Sequence, residues 1–239
     1  MARPVKPEAV AKKRQEILDA AERFVFTKGY EQMSIQDILD EVKMSSGAFH
    51  HYFASRAALF SAFIERIKQE TEKPLLPIIH DPNRSAIEKL QGFFDTLDRL
   101  RSAHKTEVVK FLRIWYTDDN ALVRQKVDEA ILEQRAPLLT EIIHQGIREG
   151  SFTTAYPDRA GEIIMVLLQG MWNTHARLLL SLDLKRDDDQ RFIEEIIATH
   201  AAYMDAVERT LGALPHSFYR ADVDVVNVWV MALRENEDA

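Results

Sequence analysis

Residues 34–53 read SIQDILDEVKMSSGAFHHYF and contain two short helical segments joined by a tight turn. Ser34 and Asp37 form the pattern of a capping box, in which the hydroxyl accepts from a first-turn amide and the carboxylate accepts from the serine's own amide. Ser45 and Ser46 offer a second helix cap, before a run that is too short to be stable as an isolated helix. Two short helices around a tight turn are typical of a helix-turn-helix unit.

Longer helical patterns flank this stretch on both sides. Apolar residues share one stripe from Pro7 to about Lys28, and Gly29 supplies the left-handed stop that is typical of a helix end. After residue 53, Ser55 caps a further helix whose apolar residues again lie on one side. The first seventy residues therefore hold four predicted helices, of which the second and third are very short.

The rest of the chain is also predicted to be helical. Apolar periodicity indicates longer helices at about 83–103, 106–117, 120–149, 157–181 and 187–212. Pro157 suits a first helical turn, whereas Pro137 is expected to kink or divide the helix around it. Only 8 Gly and 8 Pro in 239 residues leave little room for the frequent turns of a β protein. The sequence predicts an all-α fold.

Composition narrows the class of protein. The absence of cysteine excludes disulfides and thiolate chemistry and fits a reducing cytosol. The basic N-terminus has no apolar segment behind its charges, and the most apolar run, residues 163–168, is far shorter than a bilayer span. We therefore expect a cytoplasmic protein with no membrane partner.

Patterns of catalytic and metal sites are missing from the sequence. There is no Gly-rich phosphate loop or nucleophile elbow, so we assign no catalytic residue and expect no enzyme. His144, His175 and His200 lie on separate predicted helices without HxxxH spacing. We therefore expect neither a metal nor a cofactor.

Charge is divided unevenly along the chain, whose net charge is −7. Residues 1–56 carry a net charge of +1, and their basic leading edge holds Arg3, Lys6, Lys12, Lys13 and Arg14. The remainder carries −8. An acidic body limits nonspecific binding to polyanions, while a basic edge directs one end of the molecule toward phosphate.

Over residues 14–60 the sequence resembles the DNA-binding domain of the tetracycline-repressor (TetR) family of bacterial regulators. The order and spacing of the matching residues carry the resemblance: Ile17, Ala20, Ala21, Phe24, Gly29, Tyr30, Ser34, Ile35, Ile38, the run Met44–Phe53, Ser55, Arg56, Leu59 and Phe60. It implies an N-terminal three-helix DNA-binding domain with a helix-turn-helix at residues 1–56, and a helical ligand-binding and dimerisation domain at 57–212. Residues 213–239 run past the resemblance as a C-terminal extension.

The resemblance implies that the third helix lies in the major groove of double-stranded DNA. The residues then nearest to DNA are Ser34, Gln36, Ser45, Ser46, Gly47, His50 and His51. Independently of the family, small residues at the leading end of this helix let its backbone approach a groove, and His50, His51 and Tyr52 can donate to phosphates. Lys43 and Arg56 are further phosphate candidates.

Two positions depart from the family pattern. Lys43 stands where the family usually has Gly, so a left-handed turn there carries a strain of about 1 kcal/mol. His50 replaces the usual tyrosine, which puts one phosphate contact of the family in doubt. The alternative is that this unit is a degenerate dimer arm that no longer binds DNA.

The function implied by the resemblance is that of a homodimeric transcriptional repressor, released from a palindromic operator by a small hydrophobic or amphipathic ligand. The last two long helices would pair with their twofold mates in a four-helix bundle, through Ile164, Leu167, Leu168, Ile193, Ile197 and Met204. Without the family, an internal core would be the favoured explanation for these apolar residues.

A ligand pocket in the second domain is predicted from composition alone. Large apolar or aromatic side chains with a polar handle suit such a site, and the candidates are Phe93, Phe111, Trp115, Met165, Met171, Trp172 and His175. Aromatic residues at helical spacing are more often simple core. Polar groups that would orient a ligand, or else lie on the surface, are His104, Arg113, His175 and Arg177.

The extension and the overall function each leave an alternative open. In residues 213–239 an apolar stripe through Val223, Val226, Val230 and Leu233 indicates a short helix packed on the dimer region, although the valine pattern also suits a strand. The rival function is a helical small-molecule carrier, or an enzyme with a vestigial helix-turn-helix. Strong duplex binding with a steep salt dependence separates the two.

Overall fold

The computed structural model describes residues 7–103, 105–182 and 189–237. Regular structure within these ranges is entirely helical, which confirms the predicted all-α fold. The helices are α1 Pro7–Lys28, α2 Ile35–Glu41, α3 Ser46–Phe49, α4 Arg56–Glu72, α5 Leu76–Ile79, α6 Ala86–Ser102, α7 Lys105–Trp115, α8 Ala121–Arg148, α9 Pro157–Ser181, α10 Asp189–Leu211 and α11 Val223–Glu237, with a 3-10 turn at Asp118–Asn120. The predicted helices are all present, and α5 is an addition.

The chain divides into two compact units whose ranges differ from the predicted domains. The first unit contains the residues up to Glu70 together with Arg113–Val127, and the second contains Thr71–Leu112 and the residues from Asp128 onward. The predicted boundary at residue 56 falls inside the first unit. Its helix α4 belongs there because Leu59 and Phe63 are both buried at 1% exposure.

The core of the first unit forms between α1 and the short helices that follow it. Ile17, Leu18 and Val25 of α1 are at most 1% exposed, as are Ile38 of α2 and Phe49 of α3. Since α2 and α3 are too short to be stable alone, this burial is what holds them. The apolar stripe predicted for α1 is the face that packs.

A segment distant in sequence completes the first unit. Asn120 is fully buried, accepts from the Tyr30 N–H at 2.9 Å, and donates to the carbonyls of Val25 and Ile114 at 3.2 and 3.1 Å. Buried amides are stable only when their hydrogen bonds are made. Asn120 therefore ties residues 113–127 to the end of α1, a role that no local pattern in the sequence indicates.

Helices α6, α8, α9 and α10 build the core of the second unit. Phe93 of α6, Ile143 of α8, Ile164 of α9 and Val207 of α10 are all fully buried in it. Pro137 was expected to kink or divide α8. The helix is nevertheless continuous through this residue, so it is not divided. Pro137 is exposed, so water can satisfy the carbonyl that loses its partner.

The C-terminal extension forms helix α11 rather than the strand that its valine pattern also allows. Val226, Val230 and Leu233 are at most 4% exposed, as the predicted helical stripe requires, whereas Val223 at its start is exposed. The segment that leads to α11 is held by the buried carboxylate of Glu208 in α10. That carboxylate accepts from the backbone N–H groups of His216 and Phe218 and pairs with Arg220 at 2.7 Å.

Candidate functional site

The first turn of α2 is fixed by the predicted capping box. Ser34 Oγ accepts from the Asp37 N–H at 3.1 Å, and the Asp37 carboxylate accepts from the Ser34 N–H at 2.7 Å. Hydrogen bonding from Lys28, whose Nζ lies 2.6 Å from Asp37, is the main reason that the pKa of Asp37 is well below its usual range, and Ser34 adds to it. The end of α1 and the start of α2 are thereby joined through a carboxylate.

The turn between α2 and α3 has the left-handed conformation expected at Lys43, with φ +50°. The flanking amides are satisfied, because the N–H groups of Val42 and Met44 donate to Ile38 and Leu39 at 3.0 Å. A residue with a Cβ is strained in this conformation. The departure from the family's glycine therefore retains the turn and leaves an exposed lysine on it.

Helix α3 presents small, exposed residues at its leading end and buries its other side. Ser45 caps the helix by accepting from the Ala48 N–H at 3.3 Å. A Cβ built on Gly47 would meet nothing within 4 Å. Phe49 and Phe53 are 1% and 3% exposed, with ring centroids 5.9 Å apart, and they anchor the helix. The leading end can therefore approach a flat or grooved partner closely.

Most of the predicted DNA contacts lie at the surface of the first unit. The exposed ones are Ser34, Gln36, Lys43, Ser45, Ser46, Gly47, His50 and His51, and Tyr52 is half-buried. Arg56 behaves differently, since its guanidinium stacks 4.2 Å from the Tyr30 ring centre and donates to the Tyr30 carbonyl at 2.5 Å. Its predicted phosphate contact competes with these bonds inside the unit.

The basic edge of α1 also has internal roles that the sequence did not indicate. Lys13 donates to the Val42 carbonyl at 3.1 Å and pairs with Glu16 at 2.8 Å, so it supports the turn. The Arg14 guanidinium lies 4.8 Å from the Phe53 ring centre. Lys12 is exposed, which leaves it as the clearest phosphate candidate on α1. Arg3 and Lys6 lie outside the described residues.

The second unit contains a cavity of 90 Å³ between parts of α6, α7, α9, α10 and α11. Its walls are mainly aromatic and aliphatic, and they include Trp172, His175, Phe192, His200, Val226 and Trp229. A wider and more open groove of 830 Å³ shares Asp98, Tyr219, Val225 and Trp229 with it. The cavity therefore lies next to a route from the surface.

Two histidines meet at the wall of this cavity although they belong to different helices. The rings of His175 in α9 and His200 in α10 stack with centroids 6.1 Å apart and an interplanar angle of 10°. Burial is the main cause that lowers the pKa of each to about 4, helped by His200 and Arg101 around His175 and by Arg220 beside His200. Both rings are therefore neutral near pH 7, and sequence spacing could not reveal the pair.

Within the described residues, the two histidines are not part of a metal-binding cluster. Residues 7–103, 105–182 and 189–237 hold no cluster of three or more His, Asp or Glu side chains arranged to bind an ion. His144, the third predicted candidate, pairs instead with Asp158 at 2.9 Å.

Only part of the predicted ligand pocket lines the cavity. Trp172 and His175 do so, whereas Phe93, Met165 and Met171 are buried in the core of the second unit. The other two candidates lie elsewhere: Phe111 is half-buried on α7, and Trp115 belongs to the first unit, where its ring packs 6.2 Å from Phe26. Arg113 and Arg177 are exposed, and His104 is outside the described residues. The lining residues that sequence analysis missed include His200, Val226 and Trp229.

The predicted dimer residues fall into two groups. Ile164, Leu168 and Met204 are at most 8% exposed in the core of their own unit, so their side chains are not at its surface. Leu167, Ile193 and Ile197 are half-buried. The apolar side chains that α9 exposes are Ile163 and Val166, at 44% and 52%. The apolar side chains that α9 exposes are therefore offset by about one residue from the predicted dimer residues.

Comparison with protein families matches two parts of the chain. Residues 17–63 match the family described as bacterial regulatory proteins of the tetR family, and residues 107–177 match the tetracyclin repressor-like C-terminal domain. The chain belongs to the TetR family of bacterial transcriptional regulators. The resemblance found at residues 14–60 is thereby confirmed.

Individual relatives of this TetR-family protein are more distant. It is 34% identical over 82 residues to an uncharacterised HTH-type transcriptional regulator of Lactococcus lactis, an alignment that covers 34% of this chain and 42% of the relative. It is 24% identical over 147 residues to the HTH-type transcriptional repressor KstR2 of Mycobacterium tuberculosis, covering 60% of this chain and 70% of the relative. The chain thus spans less than half of the lactococcal relative.

Solved structures share the fold of this TetR-family protein. A complex of SmeT with triclosan superposes with a TM-score of 0.59 at 17% identity, covering 89% of this chain and 97% of that one. Reduced NemR of Escherichia coli gives a TM-score of 0.54 at 16% identity, covering 85% and 99%. RolR bound to resorcinol gives 0.50 at 14% identity, covering 94% and 96%.

Helix α11, which contributes Val226 and Trp229 to the cavity, lies beyond both family matches. None of the described helices of this TetR-family protein is long and apolar enough to cross a membrane.

Proposed function

We propose that this TetR-family protein is a homodimeric, cytoplasmic repressor that binds a near-palindromic operator and is released from it by a small molecule. The observation that carries the proposal is the leading end of α3. Ser45, Ser46 and Gly47 are exposed there, while Phe49 and Phe53 hold the helix from behind. A short helix fixed in this way is suited to enter a major groove as a rigid element.

In the proposed complex, base reading and phosphate binding are performed by different residues. The α3 N-terminus approaches base edges, where the absence of a side chain on Gly47 permits close contact. His50, His51 and Lys43 donate to phosphates, as does Gln36 at the start of α2. Phosphate contacts position the protein, whereas base contacts specify the sequence.

The dimer is proposed to form along α9 and α10. The exposed Ile163 and Val166, together with the half-buried Leu167, Ile193 and Ile197, supply its apolar surface. Two copies related by a twofold axis would place their α3 helices about 34–36 Å apart, one turn of DNA, and so bind two half-sites.

The small-molecule part of the proposal rests on the cavity of the second unit. Its aromatic walls and few polar groups have the composition of a ligand site. Two proteins of the same fold were solved with small aromatic molecules, triclosan in SmeT and resorcinol in RolR. An effector would act by binding the dimer with different affinity when it is free and when it is on DNA, and its effect cannot exceed that difference.

Selection of bound sequences from random duplexes is the experiment that tests the proposal. We expect a consensus of two inverted half-sites whose centres lie about 10 base pairs, or a multiple of that, apart. A carrier or an enzyme with a vestigial helix-turn-helix predicts no enrichment of any sequence. Enrichment of a single, non-repeated site would contradict the dimeric mode of binding.

A further inference from the structure

We propose that the effector of this protein is a neutral phenol, a single aromatic ring whose hydroxyl group hydrogen-bonds to His175. The inference rests on the proposed function and specifies the chemical class of ligand that the cavity of the second unit accepts. It is carried by the hydrogen-bonding state of the two cavity histidines and by the side chains around them.

His175 offers a ring nitrogen that the protein itself does not use. Its Nε2 is buried and has no hydrogen-bond partner within the described part of the chain. In a neutral imidazole a ring nitrogen either donates or accepts, according to the tautomer, and a hydroxyl group can pair with it in both cases. A buried polar atom without a partner is unfavourable, so a ligand hydroxyl that pairs with Nε2 gains a hydrogen bond that the empty site lacks.

His200 presents the complementary group. Its Nδ1 accepts from the Ala221 N–H at 3.2 Å, so that the proton of the neutral ring resides on Nε2. The histidine pair therefore provides the unpartnered Nε2 of His175 and one N–H donor on His200. A hydroxyl group both donates and accepts, and it matches this pair better than a methyl group or a carboxylate.

The remaining walls are mainly aromatic and aliphatic, and the carboxylate of Asp98 among them opposes an anionic ligand. Trp172, Phe192 and Trp229 provide aromatic surface, and Ile196 and Val226 provide aliphatic surface. Among the described residues that line the cavity there is no lysine or arginine to pair with an anion. A volume of 90 Å³ holds no more than one ring, so a substituent on that ring extends into the neighbouring groove.

Helix α11 forms one wall of the cavity, and this wall is specific to this chain. Val226 and Trp229 stand outside the two segments that match the TetR-family models. The loop before α11 is bound to α10 through Glu208, and its Ala221 N–H bonds to His200. The extension therefore sets both the shape of the cavity and the tautomer of one of its histidines.

The test compares three ligands of equal ring size on the full-length chain: 4-ethylphenol, 4-ethyltoluene and 4-ethylbenzoate. Binding is followed by titration calorimetry and by quenching of tryptophan fluorescence, to which Trp172 and Trp229 contribute at the cavity. We expect 4-ethylphenol to bind about ten-fold more tightly than 4-ethyltoluene, the effect of one buried hydrogen bond, and more tightly than the benzoate.

Variants assign the preference to His175. His175→Phe should reduce the ratio of the phenol and toluene affinities to about one, whereas His175→Gln, which keeps an acceptor, should retain part of it. His80→Phe is the matched control, because His80 is an exposed histidine of the same unit away from the cavity. Circular dichroism checks that each variant is folded.

Any one of the following results would overturn the inference: equal affinities for 4-ethylphenol and 4-ethyltoluene, a higher affinity for 4-ethylbenzoate than for 4-ethylphenol, no binding of 4-ethylphenol, or an unchanged affinity ratio in folded His175→Phe. These measurements use no DNA, so their failure leaves operator binding untouched. Conversely, a phenol that binds through His175 while random duplexes yield no consensus would refute the proposed function and preserve the site.

Discussion

Lys43 has two opposing effects: its backbone conformation strains the turn, while its side chain adds a positive charge to the proposed DNA-binding surface. Its backbone has φ +50°, which strains any residue with a Cβ. Its side chain is exposed next to α3, where a positive charge suits phosphate. The family's usual glycine would relax the backbone, and this chain has a lysine in its place.

Replacing Lys43 separates these two effects. Lys43→Gly should raise the free energy of unfolding by about 0.5–1 kcal/mol, because glycine adopts the left-handed conformation without strain and loses part of that gain through its freer unfolded chain. Lys43→Ala removes the same charge but keeps the Cβ, so its stability should stay near wild type. Urea unfolding of the three proteins measures this. Equal stabilities for the glycine and alanine variants would contradict the strain at this position.

The two cavity histidines predict how stability depends on pH. Their pKa values fall from 6.5 to about 4 on folding, chiefly because of burial. Between these values the unfolded chain binds protons that the folded chain does not, so their contribution is complete above pH 6.5 and is lost as the pH falls toward 4. Each should lower the free energy of unfolding by about 1–2 kcal/mol between pH 7 and pH 5.

A comparison of wild type with a variant separates the contribution of His200 to the pH dependence of stability from the contribution of the carboxylates. His200→Asn keeps an acceptor for the Ala221 N–H but cannot titrate, so the unfolding free energy of the variant should depend less steeply on pH than that of wild type. Denaturant titrations at several pH values provide the comparison. The same slope in both proteins would show that His200 is not buried as a neutral group.

At the scale of helices, the sequence predicted what local chemistry determines. The capping box of Ser34 and Asp37 follows from neighbouring residues, and the left-handed turn at Lys43 was expected from the resemblance to the TetR family; the structure shows both. Asn120 could not be predicted in the same way. Its three partners lie at positions 25, 30 and 114, and two of these are about ninety residues away in sequence.

Asn120 is therefore the point at which to test how the first unit is held together. Asn120→Ala should lower the free energy of unfolding by about 2–4 kcal/mol, because it removes three buried hydrogen bonds and leaves the Tyr30 N–H unpaired. Gln32→Ala is the control, since Gln32 makes an exposed bond to the neighbouring Asp119. Tryptophan fluorescence, to which Trp115 of the same unit contributes, follows unfolding. A loss no larger than that of the control would contradict this role.

For the molecule as a whole, the sequence identified the DNA-binding family but predicted only part of the lining of the cavity. Trp172 and His175 were found through their composition, whereas Met165 and Met171 have the same character and lie in the core. Periodicity shows which residues form the apolar face of a helix. It does not show whether those residues pack in the core or line a cavity. His200 and Trp229 come to the cavity through the packing of α10 and α11, which depends on long-range contacts.

The dimer proposal predicts the effect of a charge placed on the exposed faces of α9 and α10. Val166→Glu or Ile197→Glu should convert the dimer to a monomer and abolish operator binding, because an unpaired carboxylate buried in an apolar seam costs several kcal/mol. Leu214→Glu is a matched control, since Leu214 is 79% exposed on the segment before α11. Sedimentation velocity gives the oligomeric state. An unchanged dimer in both variants would remove the seam from these helices.

The central claim is that the leading end of α3 reads DNA in the major groove, and Gly47→Val tests it most directly. The Cβ of the new side chain meets nothing within 4 Å, so the fold should survive while the groove wall is obstructed. Affinities for the selected operator and for a scrambled duplex are measured at several salt concentrations, with Lys12→Ala as the comparison. Lys12→Ala should weaken both duplexes alike and reduce the salt slope by about one.

We predict that Gly47→Val, shown to be folded by circular dichroism, binds the operator no better than the scrambled duplex and retains the wild-type salt dependence of nonspecific binding. If the folded variant instead prefers the operator as strongly as wild type does, α3 does not lie in the groove.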